Sequence, residues 1–162
     1  VVAGSGDPLV AQAAGSCLGD SSEAVRLSAL RVLLRLPGRD GVQATAVAGK
    51  CLEDTDTAVR AAAVEALVGL ATECAEVAVA AAVAAGARLA HSAEDARAAA
   101  GEALARMAEL GSEHVVVAVR ACLEHQSGDV RASALQLLPK VATKGDRNLA
   151  NAVGACLEDR DL

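Results

Sequence analysis

The chain of 162 residues has no phenylalanine, tyrosine or tryptophan. A thick interior built around large rings is therefore excluded. Apolar burial falls to Ala, Val and Leu, which suit thin layers between closely spaced helices. Rings that could stack on bases are missing as well. A formal net charge of −6 and a pI near 5.0 supply no broad cationic field for phosphate backbones, so nucleic acid is not an expected partner. Long hydrophobic runs are also lacking. The most apolar stretch, Val77–Ala87, has 11 residues, whereas a bilayer takes about 20, so direct membrane insertion is not expected. The opening residues, VVAGSGDP, lack the basic start and apolar run of a signal peptide. What the chain does have is 53% hydrophobic residues, enough to exclude disorder and to bury a sizeable core.

It also has a sentence that recurs. Cys51 begins CLEDTDTAVRAAAVEALVGLA, Cys17 begins CLGDSSEAVRLSALRVLL, and Cys122 begins CLEHQSGDVRASALQLLP. A looser copy, RLAHSAEDARAAAGEALARMA, starts at Arg88, and CLEDRDL closes the chain from Cys156. Arg26, Arg60, Arg97 and Arg131 mark a register with separations of 34, 37 and 34 residues. Leu18, Leu52, Leu89, Leu123 and Leu157 repeat it at 34, 37, 34 and 34. Two independent markers agree on one irregular unit. Its three additional residues are expected in the loop near ATECAEV, since connections tolerate insertion best. The units run approximately 7–39, 40–74, 75–111 and 112–145, with a partial unit at 146–162.

Each unit carries two helical patterns. In the second, Val59, Ala63, Leu67 and Leu70 line one face at helical spacing. Ser22, Asp56 and Ser127 stand four residues before the marker Arg, where an oxygen side chain caps free N–H groups, and Ser92 stands one residue earlier in the irregular unit. Pro8 suits a first helical turn, while Pro139 interrupts a helix interior. The expected helices are 8–18, 22–36, 41–53, 56–72, 75–90, 93–110, 113–124, 128–143 and 147–158, with no strand. Leu67 and Leu138, seven residues after their Arg, are both expected in the core.

With those residues in hand, the pattern D-x-D-x-x-V-R-x-x-A-x-x-A-L from Asp54 to Leu67 resembles a HEAT repeat, and four registered copies spread the resemblance over the whole chain. The resemblance implies an all-α, right-handed α-solenoid of about four helix-turn-helix repeats plus partial units at both ends. It implies second helices lining a concave side. It also implies a polar ladder of turn aspartates and second-helix arginines between neighbouring units: Asp20, Arg26, Asp54, Arg60, Arg97 and Arg131. His91 and His125 replace the turn aspartate in the last two units, so an acidic partner is not expected there. The physical reason for repetition stands apart from the name. A lone pair of Ala-, Val- and Leu-rich helices cannot cover its apolar face, and stacking covers it. Val1–Ala3 align with the tail of a second helix and CLEDRDL with the end of a first one. The chain is accordingly expected to be a window on a longer solenoid.

Candidate chemistry is sparse. Cys17, Cys51, Cys122 and Cys156 share one position, which reads as a small apolar core site rather than a metal or disulfide set. Helices pack about 8–10 Å apart, beyond disulfide reach, and no C-x-x-C pair is present. Cys74 is the exposed candidate, and five unpaired cysteines point to an intracellular compartment. HEAT-like di-iron hydroxylases use His-Glu pairs, whereas Glu113-His114 and Glu124-His125 run in the opposite order. No metal, cofactor or catalytic residue is expected.

The exposed stripe of the second helices is more telling. Arg31, Glu65, Glu102 and Gln136 follow the marker Arg by five residues; Arg35, Gly69, Arg106 and Lys140 follow it by nine. Arg31, Arg35, Glu65, Glu102, Arg106, Gln136 and Lys140 are the candidate contacts for a protein partner. The expected function is a non-catalytic protein–protein interaction scaffold, part of a longer subunit in a larger assembly. The alternative is a regulatory or HEAT-like lyase portion of an enzyme.

Overall fold

The computed structural model describes residues 8–36, 40–111 and 114–141, together with position 154. Within them run α1 (Pro8–Cys17), α2 (Glu23–Arg35), α3 (Gly41–Cys51), α4 (Thr57–Leu70), α5 (Ala75–Gly86), a 3₁₀ turn (Ala87–Ala90), α6 (Glu94–Glu109), α7 (His114–Leu123) and α8 (Gly128–Val141). No strand occurs among the described residues. The expected helix 147–158, the tail at Val1–Ala3, Glu113, Cys156 and Leu157 lie outside them.

Helices pair along the chain, α1 with α2, α3 with α4, α5 with α6 and α7 with α8. The pairs then stack. First helices lie on first helices, α3 on α5 and α5 on α7; second helices form their own row, α2 on α4, α4 on α6 and α6 on α8. The fold is an all-α solenoid. Its core is one continuous seam, in which Leu52, Leu89 and Leu123 recur as buried end-of-helix leucines and Leu30, Val59, Val64, Leu67 and Leu104 fill the second-helix side. The single methionine, Met107, is fully buried there and fills space that aliphatic residues leave.

Close approach of the first helices depends on small side chains. A Cβ on Gly49 would sit 3.1 Å from the Ala84 Cβ, and one on Gly86 would sit 3.4 Å from the Ala118 Cβ. These glycines keep α3, α5 and α7 tightly layered without any ring to fill a gap.

The same contacts relocate the irregular unit's three residues. Gly49 precedes Ala84 by 35 residues, whereas Gly86 precedes Ala118 by 32. The connection has not grown, because α3 starts 15 residues after Arg26 and α5 starts 15 after Arg60. The insertion therefore lies inside α5, between Ala75 and Ala84, and not in the loop where it was expected. Three residues are nearly one turn, about 4.5 Å of rise, so α5 lengthens while broadly keeping its buried face of Ala78, Ala81, Ala82 and Ala85.

Three further expectations change. The last four residues of the helix expected over 75–90 form a 3₁₀ turn, which tightens the chain and brings Leu89 into the core. Of the two equivalent leucines, Leu67 is fully buried, but Leu138 is only half-buried and its neighbour Leu137 is the buried one. The caps are also more selective than expected. Asp56 accepts from the Ala58 and Val59 N–H groups, whereas Ser22 sits at an N-cap without a side-chain bond and Ala93, not Ser92, is the cap of α6. Asp40, ahead of α3, is a cap that the register did not single out, and it accepts from Val42 and Gln43.

Candidate protein-docking surface

The turn between the two helices of each pair is built the same way four times. Its first side chain accepts the backbone N–H two residues on: Asp20 from Ser22 and Asp54 from Asp56, both at 2.8 Å. The marker arginine then folds back and donates Nη1 to two carbonyls of its own turn. Arg26 reaches the Asp20 and Ser21 oxygens, and Arg60 those of Asp54 and Thr55. Arg97 reaches His91 and Ser92, and Arg131 reaches His125 and Gln126. One guanidinium thereby satisfies two carbonyls of the turn itself, which the helices on either side do not take up.

The ladder between units is uneven. Arg26 grips Asp54 with two bonds, Nε to Oδ2 and Nη2 to Oδ1, each 2.8 Å. Both side chains are largely shielded, and Arg26's hydrogen bonds hold the Asp54 carboxyl below the usual carboxylate range. At the next junction the turn residue is His91, and Arg60 turns instead to Asp95 on α6, Nη2 to Oδ2 at 3.0 Å. Asp95 is 74% exposed, so this pair adds little stability. Glu53 is held on the same seam by Arg88 at 2.9 Å, the residue that takes the cysteine position in the irregular unit.

His91 and His125 have a role that the sequence reading missed. Their Nδ1 atoms accept from the Ala93 and Ser127 N–H groups at 3.1 Å, doing within the turn what Asp20 and Asp54 do in the first two units. The signal was their position, identical to that of the aspartates. His114 opens α7. Cys51 and Cys122 are buried, and Cys74 is exposed. Burial pushes the Cys51 thiol up to about 11 and raises that of Cys122, whose Sγ donates to the Gly86 carbonyl at 3.6 Å. Both are poor nucleophiles in those surroundings.

The row of second helices holds the seven candidate contacts. Arg31, Arg35, Glu65, Glu102, Gln136 and Lys140 are exposed and Arg106 is half-buried. Two of them meet: Arg106 donates through both Nη atoms to the two Glu65 oxygens, which ties α6 to α4 and lowers the Glu65 carboxyl below its usual range. Arg106 is thus a neutralised part of the surface rather than a free cation. Four of the seven, Glu102, Arg106, Gln136 and Lys140, line an open groove of ≈ 470 Å³ between α6 and α8. Leu89, Leu137 and Ala105 form its buried floor, and the exposed Ala98 adds a small apolar area beside the charged side chains. Arg31 and Arg35 lie on α2, away from this groove.

No group of three His, Cys, Asp or Glu side chains among the described residues could hold a metal ion, and no described helix is long and apolar enough to cross a membrane. What the geometry offers is a periodic surface, in the manner of a repeat solenoid whose helix pairs contact only their neighbours. Residues 49–74, which span the Asp54 turn and α4, match the family model described as HEAT repeat. The chain is an all-α solenoid in which this second helix pair matches a HEAT repeat. No curated protein matches it. Among solved structures it is similar to an engineered protein from a structural genomics consortium at 18% identity, over 89% of this chain and 68% of that one, with a TM-score of 0.47. A second engineered protein from the same source is similar at 19% identity, over 90% and 69%, with a TM-score of 0.49. A designed armadillo repeat protein, in complex with the peptide (KR)4, is similar at 18% identity over 90% of this chain and 79% of its own, with a TM-score of 0.42.

Proposed function

We propose that this chain is a non-catalytic docking scaffold, a segment of a larger assembly, and that it takes a stretch of a partner protein along its second-helix row at the groove between α6 and α8. The observation that carries this reading is the groove itself. Side chains of two neighbouring second helices, Glu102 and Arg106 from one and Gln136 and Lys140 from the other, surround a narrow apolar strip at Ala98 and Gly101 that lies over the buried Leu89, Ala105 and Leu137. A bound segment would cover that strip while its polar groups meet the charged rim, the usual division between the core and the edge of an interface. The second helices pack directly on one another, α4 on α6 and α6 on α8, so the surface is organised before a partner arrives.

A photo-crosslinking residue at Gln136 tests the reading against one at Val83, which is exposed on the first-helix row. In extract from the source cell, the Gln136 probe should give discrete protein adducts that the Val83 probe does not. Combining the probe with Glu102→Lys and Lys140→Glu should remove those adducts while the melting temperature holds, because exposed substitutions shift stability by only about 0.5 kcal/mol. Identical adducts from both probe positions, or adducts indifferent to the charge reversals, would remove the groove from consideration.

A further inference from the structure

We propose that the two histidine-built turns make the later junctions of the array sensitive to mild acid, in a range where the aspartate-built turns do not respond. The four turns share one hydrogen-bond pattern and differ in the acceptor. For the Nδ1 atoms of His91 and His125 to accept from Ala93 and Ser127, each ring carries its proton on Nε2. A second proton takes the accepting lone pair, and the turn then sets N–H against N–H. Asp20 and Asp54 go on accepting until far lower pH, since carboxylates ordinarily gain protons near pH 4 and imidazoles near about 6.5.

The surroundings separate the two histidines. Beside His91, Glu53 Oε2 lies 3.8 Å from Nε2, with Arg88 also on that carboxylate. Arg97 holds the His91 carbonyl, Glu94 and Asp95 begin α6, and Arg60 reaches Asp95. A charged His91 ring thus has a carboxylate at hand. His125 has Arg131 on its own carbonyl at 2.8 Å, and Arg97 occupies the place in the preceding unit from which Arg26 reaches Asp54. Glu124 and Asp129, both exposed, flank this turn, and Arg120 lies one turn back on α7. No carboxylate among the described residues is set against the His125 ring as Glu53 is against that of His91. When His125 does take a proton, its turn therefore loosens more than that of His91. The helix released at its start is α8, one wall of the groove, so a consequence for docking would rest on the function proposed above.

Hydrogen exchange of individual amides, followed by NMR from pH 7.5 to 5.5 and corrected for intrinsic rates, decides the matter. The Ser127 amide should lose protection roughly fivefold, the scale of one modest hydrogen bond, and the Ala93 amide less, while Ser22 and Asp56 hold. H125N, whose side-chain oxygen accepts without titrating, should abolish the change at Ser127 and leave that at Ala93. Protection at Ser127 that tracks Ser22 throughout, or an unchanged pH response in H125N, would overturn the proposal. Failure of the Gln136 probe to capture protein at pH 7.5 would count against the docking surface and not against the turns.

Discussion

At the scale of single residues, burial separates positions that the repeat makes look equivalent. Leu67 is fully buried and Leu138 half-buried, although both follow their arginine by seven residues. Leu67→Ala is expected to cost about 2–5 kcal/mol, because it leaves a cavity at a fully buried place in the continuous core. Leu138→Ala is expected to cost about 1 kcal/mol, in line with the smaller area it hides. Paired urea unfolding curves measure both, and equal costs would mean that α8 packs as tightly as α4. Residue identities were only partly legible in the sequence. Asp56 announced itself by its place before an apolar run, and so did the core cysteines. His91 and His125 read as bland turn residues, because a neutral imidazole nitrogen imitates a carboxylate oxygen only when the turn geometry is known.

At the scale of the element, the most shielded ion pair between neighbouring helix pairs is Arg26 with Asp54. The Asp54 carboxyl titrates below its unfolded value because Arg26 hydrogen-bonds its charged form. A depressed carboxylate stabilises the fold above its unfolded pKa and loses that contribution as pH falls through its folded one. Asp54→Asn should therefore lower the melting temperature at pH 7 by a few degrees, and the gap from wild type should close as pH drops from about 5 towards 3. A gap that stays constant over that range would show that the carboxylate's charge is not what ties α2 to the second turn. Element type and extent were read well, most helices falling within about two residues of their expected ends. The three additional residues were put in the wrong place for a physical reason. In AEVAVAAAVAAG every position accepts Ala, so no side-chain mark inside α5 records where a turn has been added.

At the scale of the whole molecule, the architecture was legible because a 34-residue recurrence leaves little choice: equivalent residues must occupy equivalent places along a stack. The surface was less so. The seven candidate contacts lie on the second-helix row, but the sequence did not reveal that Glu65 and Arg106, 41 residues apart, neutralise each other, nor that α6 and α8 frame a groove. Pairing across a junction depends on helix rotation, which three added residues alter. The central claim is that second helices form a row. Distances between spin labels carried by unnatural amino acids at Arg31, Glu65, Glu102 and Gln136 test it most directly, leaving the native cysteines alone. Neighbouring helices stack about 8–10 Å apart, so distances from Arg31 should climb by about that step at each unit, with Gln136 the farthest at roughly 25–30 Å. A distance to Gln136 no longer than that to Glu102 would mean that the helices close upon one another, and the account of an open array would be wrong.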